Sequence, residues 1–285
     1  MPAHLYVEDR RIWLVATECN QMAERVCATD VLVDVRNVSK TFGQVKALNA
    51  VSLTIGANEI FGLLGPNGSG KTTMLRILAT LLPPDSRSIR NSAEKVICRV
   101  AGHDLFTRSD EVRRTIGYVP QRDCLYGDLS AQDNLTFFST AYDLADKPQR
   151  IGQLLRMAGL YERRNTLVST FSGGMMKRLS IMCALAHEPP VLLLDEATVG
   201  LDAETRRGIW KILEELKTGR AIVVATHYIN EAEEHCDRVA LLIDGKVIDV
   251  GAPTELIGRY PPARNLEEAA AVIQEVHAAK RKNKE

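Results

Sequence analysis

Glu59-Ile60-Phe61-Gly62-Leu63-Leu64-Gly65-Pro66-Asn67-Gly68-Ser69-Gly70-Lys71-Thr72-Thr73 decides how the rest of the chain is read. The first six residues are nearly all apolar and read as a buried strand. Gly65 to Thr72 then fits G-x-x-x-x-G-K-[ST], and a helix is predicted over Thr72–Leu82, with Pro83-Pro84-Asp85-Ser86 as its stop. A strand before and a helix after is the context this motif requires. Gly65, Gly68 and Gly70 let the loop's backbone N–H groups, those of Asn67 and Ser69 included and Pro66 having none to give, curl around an anion. The helix that follows aims its positive end at the same place. Lys71 adds a full charge for outer phosphates. Thr72 offers a hard oxygen suited to Mg²⁺, and Thr73 lies close enough to hydrogen-bond phosphate. By itself the loop says only that the chain binds a nucleoside triphosphate.

Further along, Val191-Leu192-Leu193-Leu194 is a fully apolar strand ending in Asp195-Glu196. A carboxylate at such a strand end can hold Mg²⁺ through water. Glu196, one residue later, is placed to polarise a water for in-line attack on a γ-phosphate. The plainer alternative is an acidic pair closing a strand. Ala221-Ile222-Val223-Val224-Ala225 is another buried strand, and it ends in Thr226-His227. Parallel strands bring their carboxyl ends to one edge, where ligands bind, so His227 faces the same phosphate; a packed histidine is the alternative. Ile116 to Pro120 is a short strand that delivers Gln121, whose amide could ligate Mg²⁺ and orient water.

The remaining pattern is that of an ordinary globular protein. The chain has 285 residues, 36 basic and 36 acidic side chains, 45% apolar residues and 25% charged ones. Zero net charge argues against bulk electrostatic wrapping of nucleic acid. Nothing approaches the ~18 uninterrupted apolar residues of a membrane span. Ile12 to Ala16 is too short and acid-flanked to be a secretory leader. Cys19, Cys27, Cys98, Cys124, Cys183 and Cys236 form no C-x-x-C pair and read as free thiols of a reducing compartment. Residues 1–30 read as an extension, in part disordered. Val31–Val35 and Ala50–Ile55 read as antiparallel strands with Thr41–Gln44 between them. Residues 86–98 are either a loop insertion or an extended hairpin. Residues 122–190 look mostly helical, Glu204–Leu216 is an amphipathic helix, and Val239–Ile243 with Lys246–Val250 form a hairpin through Asp244-Gly245. Ala278–Glu285 is a basic helix terminus, solvated or set against an anionic membrane surface.

Phe171-Ser172-Gly173-Gly174-Met175 precedes a helix predicted over Met176–Ala186. Ser172 can cap it, and two glycine amides with the helix dipole make a second anion site. In order with the other motifs, this resembles the signature of the ATP-binding cassette (ABC) family. The spacings are similar too: Lys71 to Gln121 is 50 residues, Gln121 to Ser172 is 51, Ser172 to Asp195 is 23, and Glu196 to His227 is 31. Val199-Gly200-Leu201-Asp202 resembles the family's D-loop. The resemblance covers about residues 31–255.

It implies an α/β fold: a P-loop NTPase (RecA-like) core with an N-terminal antiparallel β subdomain, a helical subdomain inserted at about 122–190, and a C-terminal helical tail over 256–285. It implies two ATP molecules, with Mg²⁺, sandwiched between two cassettes, identical or not. Lys71 and Thr72 of one face Ser172 and Gly174 of the other, and Asp202 crosses the interface. Phe42 takes the place of the aromatic that stacks on adenine, with an ordinary turn aromatic as the alternative. Gln121 senses Mg²⁺ and couples to a membrane permease subunit, and His227 is a γ-phosphate switch. Met175, where Gln is commonest, resembles the subgroup serving drug, lipid or polysaccharide exporters. The expected protein is thus the ATPase subunit of a transporter, peripheral on the cytoplasmic face of the cell membrane through its permease, with no nucleic acid partner. The competing expectation is a soluble cassette ATPase acting on ribosomes or DNA, which usually carries two cassettes or a coiled-coil insertion. A P-loop kinase has no use for Ser172-Gly173-Gly174.

Overall fold

The computed structural model describes residues 31–85, 96–142 and 147–282. The expected N-terminal extension and most of the ambiguous 86–98 stretch lie outside the described residues. Strands β1 (Val31–Phe42) and β2 (Val45–Gly56) pair antiparallel across a turn at Gly43-Gln44. They run much longer than the sequence pattern suggests. Val51, Leu53 and Ile55 are buried while Ser52 and Thr54 face solvent, the period-2 alternation of a one-sided sheet. β3 (Glu59–Leu64) leaves for a second sheet. β4 (Ile97–Val100) pairs with the free edge of β1, and β5 (His103–Asp104) lies beyond it, giving the order β2-β1-β4-β5. The apolar end of the 86–98 stretch is therefore sheet, not loop.

The second sheet contains β3, β6 (Ile116–Val119), β7 (Val191–Asp195), β8 (Ala221–Thr226), β9 (Arg238–Ile243) and β10 (Lys246–Gly251). Its order is β10-β9-β3-β8-β7-β6. All neighbours are parallel except the β9–β10 hairpin. β3, β7 and β8 are buried at every position, as expected of strands covered on both faces. Alternate residues serve two cores. Phe61, Leu63, Val191, Leu193 and Val223 pack toward the antiparallel sheet, while Ile60, Leu64, Leu192, Leu194 and Val224 pack toward the helices of the other face. Each such buried side chain contributes about 2 kcal/mol of transfer free energy.

The helices are α1 (Lys71–Leu78), α2 (Ser109–Thr115), α3 (Ala131–Thr140), α4 (Lys147–Met157), α5 (Gly173–Ala184), α6 (Ala203–Leu216), α7 (Ile229–His235), α8 (Pro253–Arg259) and α9 (Leu266–Lys282). In α6 the buried Ile209, Trp210, Ile212, Leu213 and Leu216 form one apolar stripe. Several expected boundaries are corrected. α1 ends four residues before Leu82, and not at the prolines. Thr80 takes a left-handed φ of 59°, its N–H bonds the Ile77 carbonyl and the Leu81 N–H the Arg76 carbonyl, so the last carbonyls are satisfied by a Schellman turn. α5 begins three residues before Met176, because Ser172 caps it from the outside. At the C-terminus, α8 spans the expected 255/256 division. Leu256, Leu266, Ala270 and Ile273 are buried in the helix-side core, so this part is packed against the body of the protein.

Among the described residues no helix is long and apolar enough to cross a membrane. The described cysteines are free; Cys98, Cys183 and Cys236 are buried and Cys124 is exposed. Burial pushes the Cys98 thiol up to about 12, so it is inert.

Candidate active site

The sheet order fixes the geometry. Going across β3, β8, β7 and β6, the carboxyl ends deliver the Gly65–Thr73 loop, His227, Asp195-Glu196 and Gln121 to one edge. A cleft of about 480 Å³ opens there, lined by Asn67, Gly68, Gly70, Lys71, Thr72, Thr73, Gln121, Glu196 and His227 together with Ala47 and Val199. Such a crevice at strand carboxyl ends is where open α/β sheets bind ligands.

The loop is compact. A Cβ at Gly65 would lie 2.1 Å from the Leu242 carbonyl oxygen, so only glycine fits where the loop leaves β3. Lys71 donates to the carbonyls of Gly65 (2.7 Å) and Pro66 (3.0 Å), which arches its chain back over the loop. It is buried, and burial lowers its pKa, opposed by the charges of Glu196 and Asp195. No side chain caps α1, whose N-cap is Gly70. The first-turn N–H groups of a helix have no partner inside it, so they are available to an anion. Ser69 has a buried hydroxyl that lacks a hydrogen-bond partner.

Two side-chain pairs follow. The Thr72 hydroxyl donates to Asp195 Oδ1 at 2.9 Å. Asp195 is buried, and burial raises its pKa, with the Thr72 hydrogen bond opposing. The Gln121 amide donates to Glu196 Oε2 at 2.7 Å, and His227 Nδ1 lies 3.5 Å from Glu196 Oε1. Glu196 is thus held on both carboxylate oxygens, and its backbone adopts φ 50°, a left-handed conformation that costs a non-glycine residue free energy. Thr72, Asp195 and Gln121 form a set of hydroxyl, carboxylate and amide oxygens, the donor chemistry of a hard cation such as Mg²⁺.

The other sequence-derived candidates stand apart. Ser172 caps α5, accepting the Met175 N–H at 3.3 Å. Asp202 caps α6, accepting the Thr205 N–H at 2.9 Å and its hydroxyl at 2.7 Å. These two caps touch each other: a Cβ on Gly174 would lie 2.4 Å from Thr205 Cγ2, and Gly173 packs near Leu201. Ser172, Gly173, Gly174 and Asp202 do not line the cleft. Phe42 is exposed at the end of β1 with the Lys40 ammonium 5.6 Å from its ring centroid, and it too is outside the cleft lining.

Sequence reasoning missed several residues. Tyr118 donates to Asp195 Oδ2 at 3.4 Å. Lys177 of α5 is buried and donates to the carbonyls of Pro120 (3.4 Å) and Gln121 (3.3 Å), with Asp123 Oδ1 at 2.9 Å. It fastens the Gln121 segment to the helix that Ser172 caps. A lysine five positions past a helix cap carries no sequence signal for this. Ala47 is an apolar wall equally silent in sequence, and Val199, singled out only as the start of the Val199–Asp202 stretch, is another wall of the cleft.

Comparison with known proteins bears on the family and the fold. The family model described as ABC transporter matches residues 48–199. The chain is 35% identical over 231 residues to the linearmycin resistance ATP-binding protein LnrL of Bacillus subtilis (strain 168), covering 80% of this chain and 71% of that one. It is 37% identical over 228 residues to the Nod factor export ATP-binding protein I of Burkholderia orbicola (strain AU 1054), covering 79% and 72%. Among solved structures it is similar to a dimeric, post-hydrolysis state of the ATP-binding cassette MJ0796 bound to ADP and Pi, with TM-score 0.67, 31% identity, and 77% and 98% of the two chains covered.

Proposed function

Because the chain belongs to the ABC transporter family, we propose how its residues divide the work of ATP hydrolysis. It is a transporter ATP-binding subunit and an ATPase, with export-type relatives. The observation that carries the residue-level reading is the convergence of Lys71, Thr72, Glu196, Gln121 and His227 on one cleft from four adjacent parallel strands, with Asp195 buried beneath the lining and hydrogen-bonded to Thr72. In this reading the loop N–H groups and Lys71 hold the outer phosphates of ATP. Glu196 takes a proton from the attacking water. Gln121 and His227 hold its carboxylate from two sides, and His227 meets the γ-phosphate. Thr72, Asp195 and Gln121 would hold Mg²⁺, which when bound offsets phosphate charge.

Ser172, Gly173, Gly174 and Asp202 lie outside their own chain's cleft, which supports their serving the site of a second cassette. Two cassettes, identical or different, then close face to face on two ATP molecules, with Phe42 against adenine. The closing is read out by a membrane permease. Tyr126, five residues after Gln121, is exposed and in edge-on contact at 4.8 Å with the exposed Phe137, and the pair suits that docking. Cargo moves outward, as the name of the Nod factor export relative suggests, and the subunit sits on the cytoplasmic membrane face. The 122–190 stretch, with α3, α4 and α5, is the helical subdomain in this reading. One relative named above is an export ATP-binding protein and the other a resistance ATP-binding protein, which leaves the ribosome- or DNA-acting alternative without support.

Glu196→Gln tests the reading. Hydrolysis should fall about 100- to 10,000-fold, the worth of a general base. ATP binding should persist, and the protein should elute as an ATP-dependent dimer. Wild-type turnover in Glu196→Gln would remove Glu196 from its role.

A further inference from the structure

Beyond the cleft, one carboxylate collects three donors from two separate elements. Glu231 lies in the first turn of α7, four residues after His227. Its Oε2 accepts from the Thr198 hydroxyl at 2.9 Å and from the Trp210 indole N–H at 2.9 Å, and its Oε1 accepts from Arg206 at 3.1 Å. The carboxylate is largely buried, and Thr198 and Trp210 are almost wholly so. Thr198 is two residues after Glu196; Arg206 and Trp210 belong to α6, which Asp202 caps. A glutamate in the first turn of a short helix reads, on sequence alone, as a favourable dipole partner on a solvated face. The structure puts it inside, as the tie between the turn after β7 and the turn after β8.

What the tie holds is the strained part of the site. Glu196 sits at φ 50°, and such a conformation persists only where surrounding structure over-determines it. The Glu196 N–H is bonded to Ala225 O at 2.9 Å and its carbonyl accepts from the Val199 N–H at 3.3 Å. Thr198 lies inside that second turn, and Glu231 fixes its side chain. On the other side, Tyr228 N–H bonds Thr226 Oγ1 at 3.0 Å, and the Arg206 guanidinium lies 5.3 Å from the Tyr228 ring centroid. His227 and Glu196 are therefore presented to each other by turns that share Glu231 as a common anchor.

We propose that Glu231 is a positioning residue for hydrolysis: through Thr198 it sets Glu196, and through α7 it sets His227, at the separation the reaction needs. The inference rests on the reading of Glu196 as general base. A misplacement of reacting groups by about 1 Å can cost about 100-fold. Glu231→Ala should lower kcat about 10- to 100-fold while KM for ATP stays within about threefold, because the phosphate loop is untouched. Glu231→Gln should recover most of the rate, since its amide oxygen can still accept from Thr198 and Trp210. Thr198→Val, close in shape and lacking only the donor, should lower kcat several-fold in a protein that remains folded, with a modestly lower melting temperature. The Thr198→Val/Glu231→Ala double variant should be no slower than Glu231→Ala alone, the non-additivity of a shared link.

A folded Thr198→Val with full kcat overturns the proposal, and so does a Glu231→Ala whose loss lies wholly in KM. If Glu231→Ala does not fold, Thr198→Val decides by itself. Should Glu196→Gln also turn over normally, the catalytic reading has failed; if Glu196→Gln is dead while Thr198→Val is unaffected, only the role of Glu231 has.

Discussion

The Gly65–Thr73 loop and the Phe171–Met175 turn both precede a helix, yet they are built in opposite ways. The first is held in a costly state. It buries a lysine and, opposite it, a carboxylate, and burial pulls the Lys71 pKa down and the Asp195 pKa up. Its neighbour Glu196 has a left-handed backbone. The second is satisfied locally. Ser172 and Asp202 cap their helices with their own hydroxyl and carboxylate, and the Thr205 hydroxyl and N–H hold the Asp202 pKa below the usual carboxylate range. One half of the machinery waits for a charged ligand to relieve its burial costs. The other is a rigid surface ready to be offered to something else. That asymmetry is what a site divided between two chains requires.

The strongest way to break this comparison is to damage the halves in different chains. Glu196→Gln removes the base from the first half. Gly174→Val disrupts the second, because a Cβ there already meets Thr205 Cγ2 at 2.4 Å. Each variant alone should be nearly inactive. An equal mixture should hydrolyse ATP several-fold faster than either, since a mixed dimer pairs an intact base with an intact turn. A mixture as slow as its components would mean that the two halves do not act in trans.

How much of this was legible in the sequence follows the range of the interactions. The phosphate loop, the Asp195-Glu196 pair and His227 stand out because each is a local pattern: an apolar run of strand length, then polar residues at its carboxyl end. Parallel packing of such strands does the rest. The helix boundaries were less legible, since Thr80 and not a glycine makes the left-handed turn that ends α1, and proline is the louder signal. Lys177 and Glu231 were invisible. Lys177 meets the Gln121 carbonyl across 56 residues, and Glu231 meets Thr198 across 33; a charged residue on a helix reads as solvated until the fold supplies a buried partner. The partnership of Gly174 with Thr205 was hidden for the same reason.

Asp195 sharpens the costly half of the comparison. Its folded pKa is raised, chiefly by burial. The stabilisation linked to such a group is complete below the unfolded carboxylate range and is lost as pH rises through the raised folded value. In nucleotide-free protein at neutral pH the buried charge is thus a net cost. Asp195→Asn, which can still accept from Thr72, should melt above wild type at pH 7. The gap should close as pH falls into the ordinary carboxylate range, where wild type loses the charge too. Thermal melts across that range check it, and a lower melting temperature for the variant at pH 7 would mean that the loop is not held at the cost described.

Asp202 should give a smaller effect of opposite sign. Its folded pKa is lowered by the Thr205 hydroxyl and N–H, so its linked stabilisation is present above the unfolded carboxylate range and is lost as pH falls through the depressed folded value. Asp202→Asn keeps a good N-cap acceptor for the Thr205 N–H but loses the ionised oxygen that the hydroxyl also uses. It should melt slightly below wild type at pH 7, and the difference should fade under acid conditions that protonate the wild-type carboxyl. The exposure of this cap keeps the shift small, because water screens what burial amplifies at Asp195. Melting curves of the two variants should therefore diverge from wild type in opposite directions at neutral pH and converge on it in acid. Curves displaced in the same direction would mean that the two turns are stabilised alike.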